Sequence, residues 1–85
     1  MTIWKFPIKV VEQQIVEMPQ EAKILTVQVQ YGQPCIWALV NPDCNVEERT
    51  IYTVGTGHPA SHVAGCQYVG TYQLHEGQLV FHIFA

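Results

Sequence analysis

The segment GTGHP, Gly55 to Pro59, sets a hydroxyl and an imidazole among residues that shape the backbone. Glycine adopts positive φ readily and lets a ligand approach the main chain, and consecutive N–H groups in such a turn can bind an anion. Thr56 supplies the hydroxyl, and His58 is held toward an extended conformation because a proline follows it. The segment is interpreted either as a site for a small polar ligand or as a purely structural turn, and its residues alone favour the turn.

The remaining members of this candidate site are assigned by residue type. Arg49 and His58 would complement negative charge, and Trp37 or Tyr52 would stack on a base. Packing in the core is the favoured interpretation of both aromatic rings. The candidate ligand-binding residues are Gly55, Thr56, Gly57, His58, Arg49, Trp37 and Tyr52.

A metal site and a nucleophilic site are weaker interpretations of the same region. His58, His62 and Cys66 recur every fourth residue, and zinc uses such ligands. The glycines and proline of the segment disfavour the helix that would align them, and neither CxxC nor HExxH occurs. No metal is predicted, and this triad is kept as a weak alternative. Cys66 could pair with a histidine as a nucleophile, but no catalytic signature surrounds it. No cofactor is predicted, and an enzyme is the least favoured class.

Composition predicts one small domain, residues 1–85, that assembles with itself. The chain has 85 residues, of which 48% are apolar and 13% are charged. A domain of this size buries only about 60–65% of the surface that it exposes when unfolded. An apolar fraction this high is large for a small monomer, so we expect a subunit interface in a homo-oligomer.

Charge and hydropathy disfavour two classes of partner. The net charge is −3, and the four basic residues are scattered along the chain. We therefore expect no polymeric nucleic acid, since phosphate recognition leaves a basic footprint. No apolar run approaches the roughly 20 residues of a membrane helix. TIWKFPIKV lacks the basic n-region and the small-residue cleavage site of a signal peptide, so we expect none. Three cysteines without CxxC spacing fit reduced thiols and a cytoplasmic location.

Short alternating segments separated by turn signals predict an all-β fold. A small antiparallel β-sandwich or barrel of about six to seven short strands is expected, with at most one helical turn near residues 60–65. The predicted strands are Trp4–Val10, Gln14–Met18, Ile24–Tyr31, Cys35–Val40, Arg49–Val54, Gln67–Leu74 and Gln78–Phe84.

Particular residues predict where these strands lie. Pro7 cannot donate to a ladder, so the first strand is expected at an edge. CIWALV is apolar on both faces and should be central or covered by a partner. In ILTVQVQY, one face should hold Leu25, Val27, Val29 and Tyr31, with a turn at 32–34. Glu76-Gly77 suits a type I′ hairpin. His82, between two apolar residues, is expected to be a buried histidine with its hydrogen bonds satisfied.

Three segments, AKILTVQVQYGQPCIWALVNP, TVGTGHP and GTYQLHEGQLVFHIF, resemble a family of small proteins encoded by bacteriophages and some bacteria. The matching motifs are GQP, WALV, GTGHP and LVFH. The resemblance covers most of the chain from Ala22 onward, and residues 60–66 match least. That family is a domain of unknown function. The resemblance therefore implies a phage or prophage context in the cytoplasm of a bacterial host, and no reaction.

Two functions remain after these arguments. The favoured hypothesis is a homo-oligomeric phage-type accessory protein that binds a small polar, nucleotide-like ligand near GTGHP and so counters host defence signalling. The alternative is a protein–protein interaction or structural module whose partner is a host protein. In that case GTGHP is only a turn.

Overall fold

A computed structural model describes all 85 residues as seven strands and one short 3₁₀ turn. The 3₁₀ turn spans Ser61–Val63. All strand pairs are antiparallel. The predicted all-β class and the single helical turn near residues 60–65 are confirmed. The strands are β1 (Thr2–Pro7), β2 (Gln13–Pro19), β3 (Lys23–Gln30), β4 (Gln33–Val40), β5 (Val46–Gly55), β6 (Tyr68–Leu74) and β7 (Leu79–Phe84).

The strands form two sheets. The three-stranded sheet has the order β1-β4-β3, and the four-stranded sheet has the order β2-β5-β7-β6. CIWALV lies in β4 between two neighbours, as its apolar faces predict, and β1 is an edge strand, as Pro7 predicts. β1 is shorter than expected, because it ends at Pro7 and the chain then crosses to begin β2 at Gln13.

The core lies between the two sheets and takes alternate residues from each strand. In β4, Ile36, Ala38 and Val40 are fully buried, and Ile51 and Ile83 face them from the four-stranded sheet. Alternation follows from the pleat, which sends successive side chains to opposite faces. The buried cluster comprises Ile8, Met18, Ala22, Ile24, Val27, Ile36, Ala38, Val40, Ile51, Tyr72 and Ile83.

The two sheets come closest where β3 packs on β6. A Cβ placed on Gly70 would lie 2.8 Å from Cγ1 of Val27, a distance that real Cβ atoms do not reach. Gly70 does not have positive φ. Glycine is therefore required here for close packing between the sheets, and not for backbone conformation.

Two side chains of the predicted strand Ile24–Tyr31 differ from the expected alternation. A β-bulge between Ile24 and Thr26 inserts Leu25 as an extra residue, and the side chain of Leu25 is 42% exposed. Tyr31 and Gly32 have φ of +50° and +77°, so both lie in the turn. The side chain of Tyr31 is fully exposed there. Positive φ at both central residues is the type I′ pattern. The turn therefore comes one residue earlier than predicted, and Gln33 and Pro34 belong to β4.

The second hairpin has the predicted turn. Glu76 and Gly77 have φ of +58° and +88°, and the Gln78 N–H donates to the His75 carbonyl at 3.1 Å. These are the backbone signs and the closing hydrogen bond of a type I′ turn.

Replacing Gly70→Ala should destabilise the protein by about 1–3 kcal/mol, the usual cost of overpacking a core. The added methyl group would force β3 and β6 apart at Val27. Urea unfolding measures the loss. Gly65→Ala is the matched control, since a Cβ there meets nothing within 4 Å. Equal stability of the two variants would contradict the close approach of the sheets.

Tyr72 should make stability fall at alkaline pH. Burial raises the pKa of its hydroxyl above the ordinary value of about 10. The folded state then holds a proton that the unfolded state releases, so stability is complete below about pH 10 and declines as pH rises through the higher folded pKa. Tyr72→Phe should reduce this alkaline decline in thermal melts. Tyr31→Phe, which removes a fully exposed hydroxyl, should leave the decline unchanged.

Candidate functional site

GTGHP forms a hydrogen-bonded β-turn at the end of β5. The His58 N–H donates to the Gly55 carbonyl at 3.0 Å, and Gly57, at the third turn position, has φ of +86°. Positive φ at that position is the mark of a type II turn. The Thr56 N–H donates to the Val80 carbonyl at 3.1 Å. Two of the N–H groups expected to bind an anion are thus already bonded to main-chain oxygens.

A chain of side-chain hydrogen bonds anchors the turn to the four-stranded sheet. Oγ1 of Thr56 lies 2.7 Å from Nε2 of His82, and Nδ1 of His82 lies 2.9 Å from Oγ1 of Thr71. The Tyr68 hydroxyl is 2.6 Å from the same Thr71 oxygen. Both ring nitrogens of His82 are bonded, as expected, but the residue is half-buried and not buried as predicted. We call Thr56, His82, Thr71 and Tyr68 the hydroxyl–histidine chain.

Sequence reasoning did not connect these four residues. The signal that joins them is register, because His82 pairs with Val54 on one side and Thr71 on the other. Directly opposed residues lie on the same face of a sheet. The pairing of β7 with both neighbours therefore had to be known before His82 and Thr71 could be placed together.

A groove of about 420 Å³, here the main groove, opens beside the turn. It exists because β2 begins at Gln13 while β5 continues to Gly55, so the last residues of β5 extend past their β2 partners. The Thr53 N–H still donates to the Glu12 carbonyl at 3.0 Å. The lining residues are Val10, Val11, Glu12, Thr53, Val54, Gly55, His58, Pro59, His62 and Phe81.

The main groove combines apolar walls with a few polar groups. Thr53 is only 7% exposed, and its Oγ1 has no hydrogen-bond partner. The ring of His58 packs against Gly55, where a Cβ would lie 3.3 Å from Nδ1. His62 contacts Tyr52 edge-on, with ring centroids 5.9 Å apart. Glu12 is the one lining residue with a formal charge at neutral pH.

A second, smaller groove of about 220 Å³ lies on the other side of His58. It shares Val54, Gly55 and His58 with the main groove and adds Thr56, Gly57 and His82 among others. His58 therefore separates two concave surfaces. A substitution there would alter both grooves.

The structure brings together some of the predicted site residues and separates others. Gly55, Thr56, Gly57 and His58 line the grooves, and Tyr52 reaches the region through His62. Arg49 and Trp37 line neither groove.

Arg49 and Trp37 are held elsewhere by their strands. Nη1 of Arg49 donates to the Ala22 carbonyl at 3.0 Å and lies 3.9 Å from a Glu47 carboxylate oxygen. Trp37 alternates with core residues of β4, so its side chain is on the outer face of the three-stranded sheet. Charge compensation by Arg49 and base stacking by Trp37 therefore have no place at the main groove of this chain.

No contact in the structure supports the weaker metal and thiol interpretations. His58, His62 and Cys66 do not converge, and no group of three His, Cys, Asp or Glu side chains is placed to hold a metal ion. All three cysteines are free thiols, and Cys35 is buried in β4.

Thr53→Val tests whether the Thr53 hydroxyl lacks a hydrogen-bond partner in the free protein. Valine keeps the shape of threonine and removes a buried hydroxyl that has no partner, so stability should stay equal or rise by about 1 kcal/mol. Thermal and urea unfolding measure the change. Thr50→Val, on the same strand and outside both grooves, is the control for β-propensity. A loss of stability at Thr53 alone would mean that its hydroxyl already has a partner in the free protein.

No helix of the chain has the length and apolar character required to cross a membrane.

Comparison with known proteins gives a match to a family model. No curated protein and no solved structure matches the sequence or the fold. The whole chain, residues 1–85, matches the family model described as Domain of unknown function (DUF7352), and the protein therefore belongs to that family.

Proposed function

We propose that this protein binds a small polar ligand in the main groove beside GTGHP. One observation carries the proposal: Thr53 lines the groove, and its hydroxyl is buried without a partner. Leaving a buried polar group unsatisfied costs free energy. A ligand seated in the groove would supply the missing partner once the wall over Thr53 moves aside, since less than 1 Å² of that oxygen is exposed.

The composition of the groove supports the same proposal. Small-molecule sites are concave and mostly apolar, with a few polar groups that orient the ligand. The walls supply Val10, Val11 and Phe81, and the polar groups include His58 and His62. The type II turn holds His58, and its ring packs on Gly55. In this proposal GTGHP is both a structural turn and one wall of the site.

His58→Ala should abolish ligand retention while the fold and the native mass of the protein assembly persist. The imidazole forms a wall of both grooves, and its removal opens each of them. Native mass spectrometry of gently purified protein, compared with its denatured mass, measures copy number and any retained molecule. His75→Asn is the matched control, since His75 is exposed in a turn at positive φ that asparagine tolerates.

The outcomes separate the candidate functions. Retained mass of a small molecule that His58→Ala loses and His75→Asn keeps would support the ligand site. Retention that is indifferent to His58 would contradict it. An additional zinc ion per chain would revive the metal interpretation of His58, His62 and Cys66.

The wider biological role is part of the proposal. The resemblance to phage-encoded chains suggests a phage-type accessory protein that acts in the cytoplasm of a bacterial host. Sequestering a small nucleotide-like signal in each subunit of a homo-oligomer would counter host defence signalling. This role rests on context, and the groove itself is argued from its residues.

The alternative function is protein–protein interaction, and exposed apolar side chains favour it. Ile3 is 56% exposed and Leu25 is 42% exposed on the three-stranded sheet, while Ile15 and Val46 are 57% and 59% exposed on the other. In this second candidate GTGHP is only a turn. A bare oligomer that tolerates His58→Ala and dissociates with Ile3→Lys would favour it.

A further inference from the structure

We infer that the main groove recognises an uncharged nitrogen heterocycle, the chemistry of a nucleobase or nucleoside, and rejects the phosphorylated form. This inference rests on the proposed ligand site and revises the nucleotide-like ligand proposed above: it keeps the base, with or without its sugar, and excludes the phosphate. Three features carry it: the charge of the lining residues, the hydrogen bonds already made by N–H groups of the turn, and the presence of both donors and acceptors in the lining.

Charge in and around the grooves opposes a phosphate. Neither groove has a lysine or arginine in its lining, and Glu12 is the one formally charged lining residue. Lys5 donates from Nζ to Gln30 at 2.9 Å on the three-stranded sheet, and Arg49 is bonded to the Ala22 carbonyl. The chain carries a net charge of −3. The lining would present a nucleotide phosphate with one acidic residue and no lysine or arginine.

The Thr56 and His58 N–H groups of the GTGHP turn cannot replace the missing cations. Anion sites without basic side chains depend on several free N–H groups directed at one point. In the GTGHP turn, the Thr56 and His58 N–H groups donate to the carbonyls of Val80 and Gly55. The Thr56 hydroxyl is bonded to His82 at 2.7 Å. Binding a phosphate at the Thr56 and His58 N–H groups would require breaking hydrogen bonds that define the turn.

The polar groups of the lining suit an uncharged heterocycle. The lining includes Thr53, His58, His62 and Glu12. A hydroxyl and an imidazole each offer a donor and an acceptor, and a carboxylate accepts. A cationic amine only donates, so it would leave their donors unmatched. A hydrocarbon would match none of them. A ring with N–H donors and carbonyl or ring-nitrogen acceptors along one edge can pair with both the acceptors and the donors of the lining.

The walls and the size fit the same ligand class. Val10, Val11, Val54 and Phe81 can cover the apolar face of a flat ring. A volume of about 420 Å³ is near the lower end of the roughly 300–1,000 Å³ typical of small-molecule sites. The groove therefore suits one base with its sugar better than an extended dinucleotide.

The test compares adenosine, guanosine, cytidine and uridine with their 5′-monophosphates by titration calorimetry of the full chain. We expect at least one nucleoside to bind, and its monophosphate to bind at least about tenfold more weakly. Thr53→Val should weaken nucleoside binding about tenfold, a difference of about 1.4 kcal/mol. Thr50→Val, which leaves the groove unchanged, should bind as the wild type does.

Glu12→Gln tests the charge argument separately. It removes the carboxylate and keeps an acceptor, so the gap between nucleoside and monophosphate should narrow. A gap that the substitution does not change would overturn the role of Glu12 in rejecting phosphate.

Two further results would overturn the inference as a whole. One is a monophosphate that binds as tightly as its nucleoside, and the other is the absence of binding by all four nucleosides. In either case, a retained molecule that His58→Ala loses would still uphold the ligand site. The inference and the proposed function would fail together only if that retained molecule were also absent.

Discussion

The close contact between β3 and β6 constrains the rest of the structure. With no room for a side chain at Gly70, the main chain of β6 packs directly against Val27. Seven short strands can then bury one face of each sheet around a few residues such as Ile36, Ile51 and Ile83, which have no measurable exposure. In a domain this small, apolar burial is scarce, and a gap between the sheets would remove contacts from most of the core. Bulges at Leu25 and Val69, on the two strands that make this contact, adjust the local pairing.

The candidate site arises because β5 is longer than its neighbour β2 and extends past the start of that strand. β5 is the longest strand and extends past the start of β2, so Thr53, Val54 and Gly55 border open space instead of a complete ladder. The residues before β2 and the turn after β5 form the two walls. The hydroxyl–histidine chain fixes the second wall to the neighbouring strands through His82. Within the lining, Thr53, Val54 and Gly55 belong to β5 and Phe81 belongs to β7, and the other residues come from the segment before β2 and the chain after β5.

Much of the fold could be predicted from the sequence, because period-two alternation is a direct result of the strand pleat. The central position of β4, the edge position of β1 and the Glu76-Gly77 turn followed from apolar faces, a proline and a glycine. Leu25 and Tyr31 could not be placed, since a bulge and an early turn leave the alternation of the letters unchanged. At the site, the importance of GTGHP was visible from its residue types. Thr53 was not, because a threonine in a strand has no local signal, and its isolation depends on Val10 to Glu12 from a distant part of the chain. Arg49 and Trp37 were chosen by chemistry alone, and pairing places them elsewhere.

The sheet order leaves four strands with one unpaired side each: β1, β3, β2 and β6. An open strand edge is a template for uncontrolled addition of further strands, and natural proteins block it with prolines, charges or bulges. Each of the four carries such a device. β1 ends in Pro7 and β2 in Pro19, whereas β3 and β6 are the two bulged strands. Lys5 and Lys23 add charge on β1 and β3. Growth into cross-β fibrils is therefore obstructed on every side, and the exposed apolar residues can remain at the surface without making the chain prone to aggregate through its edges.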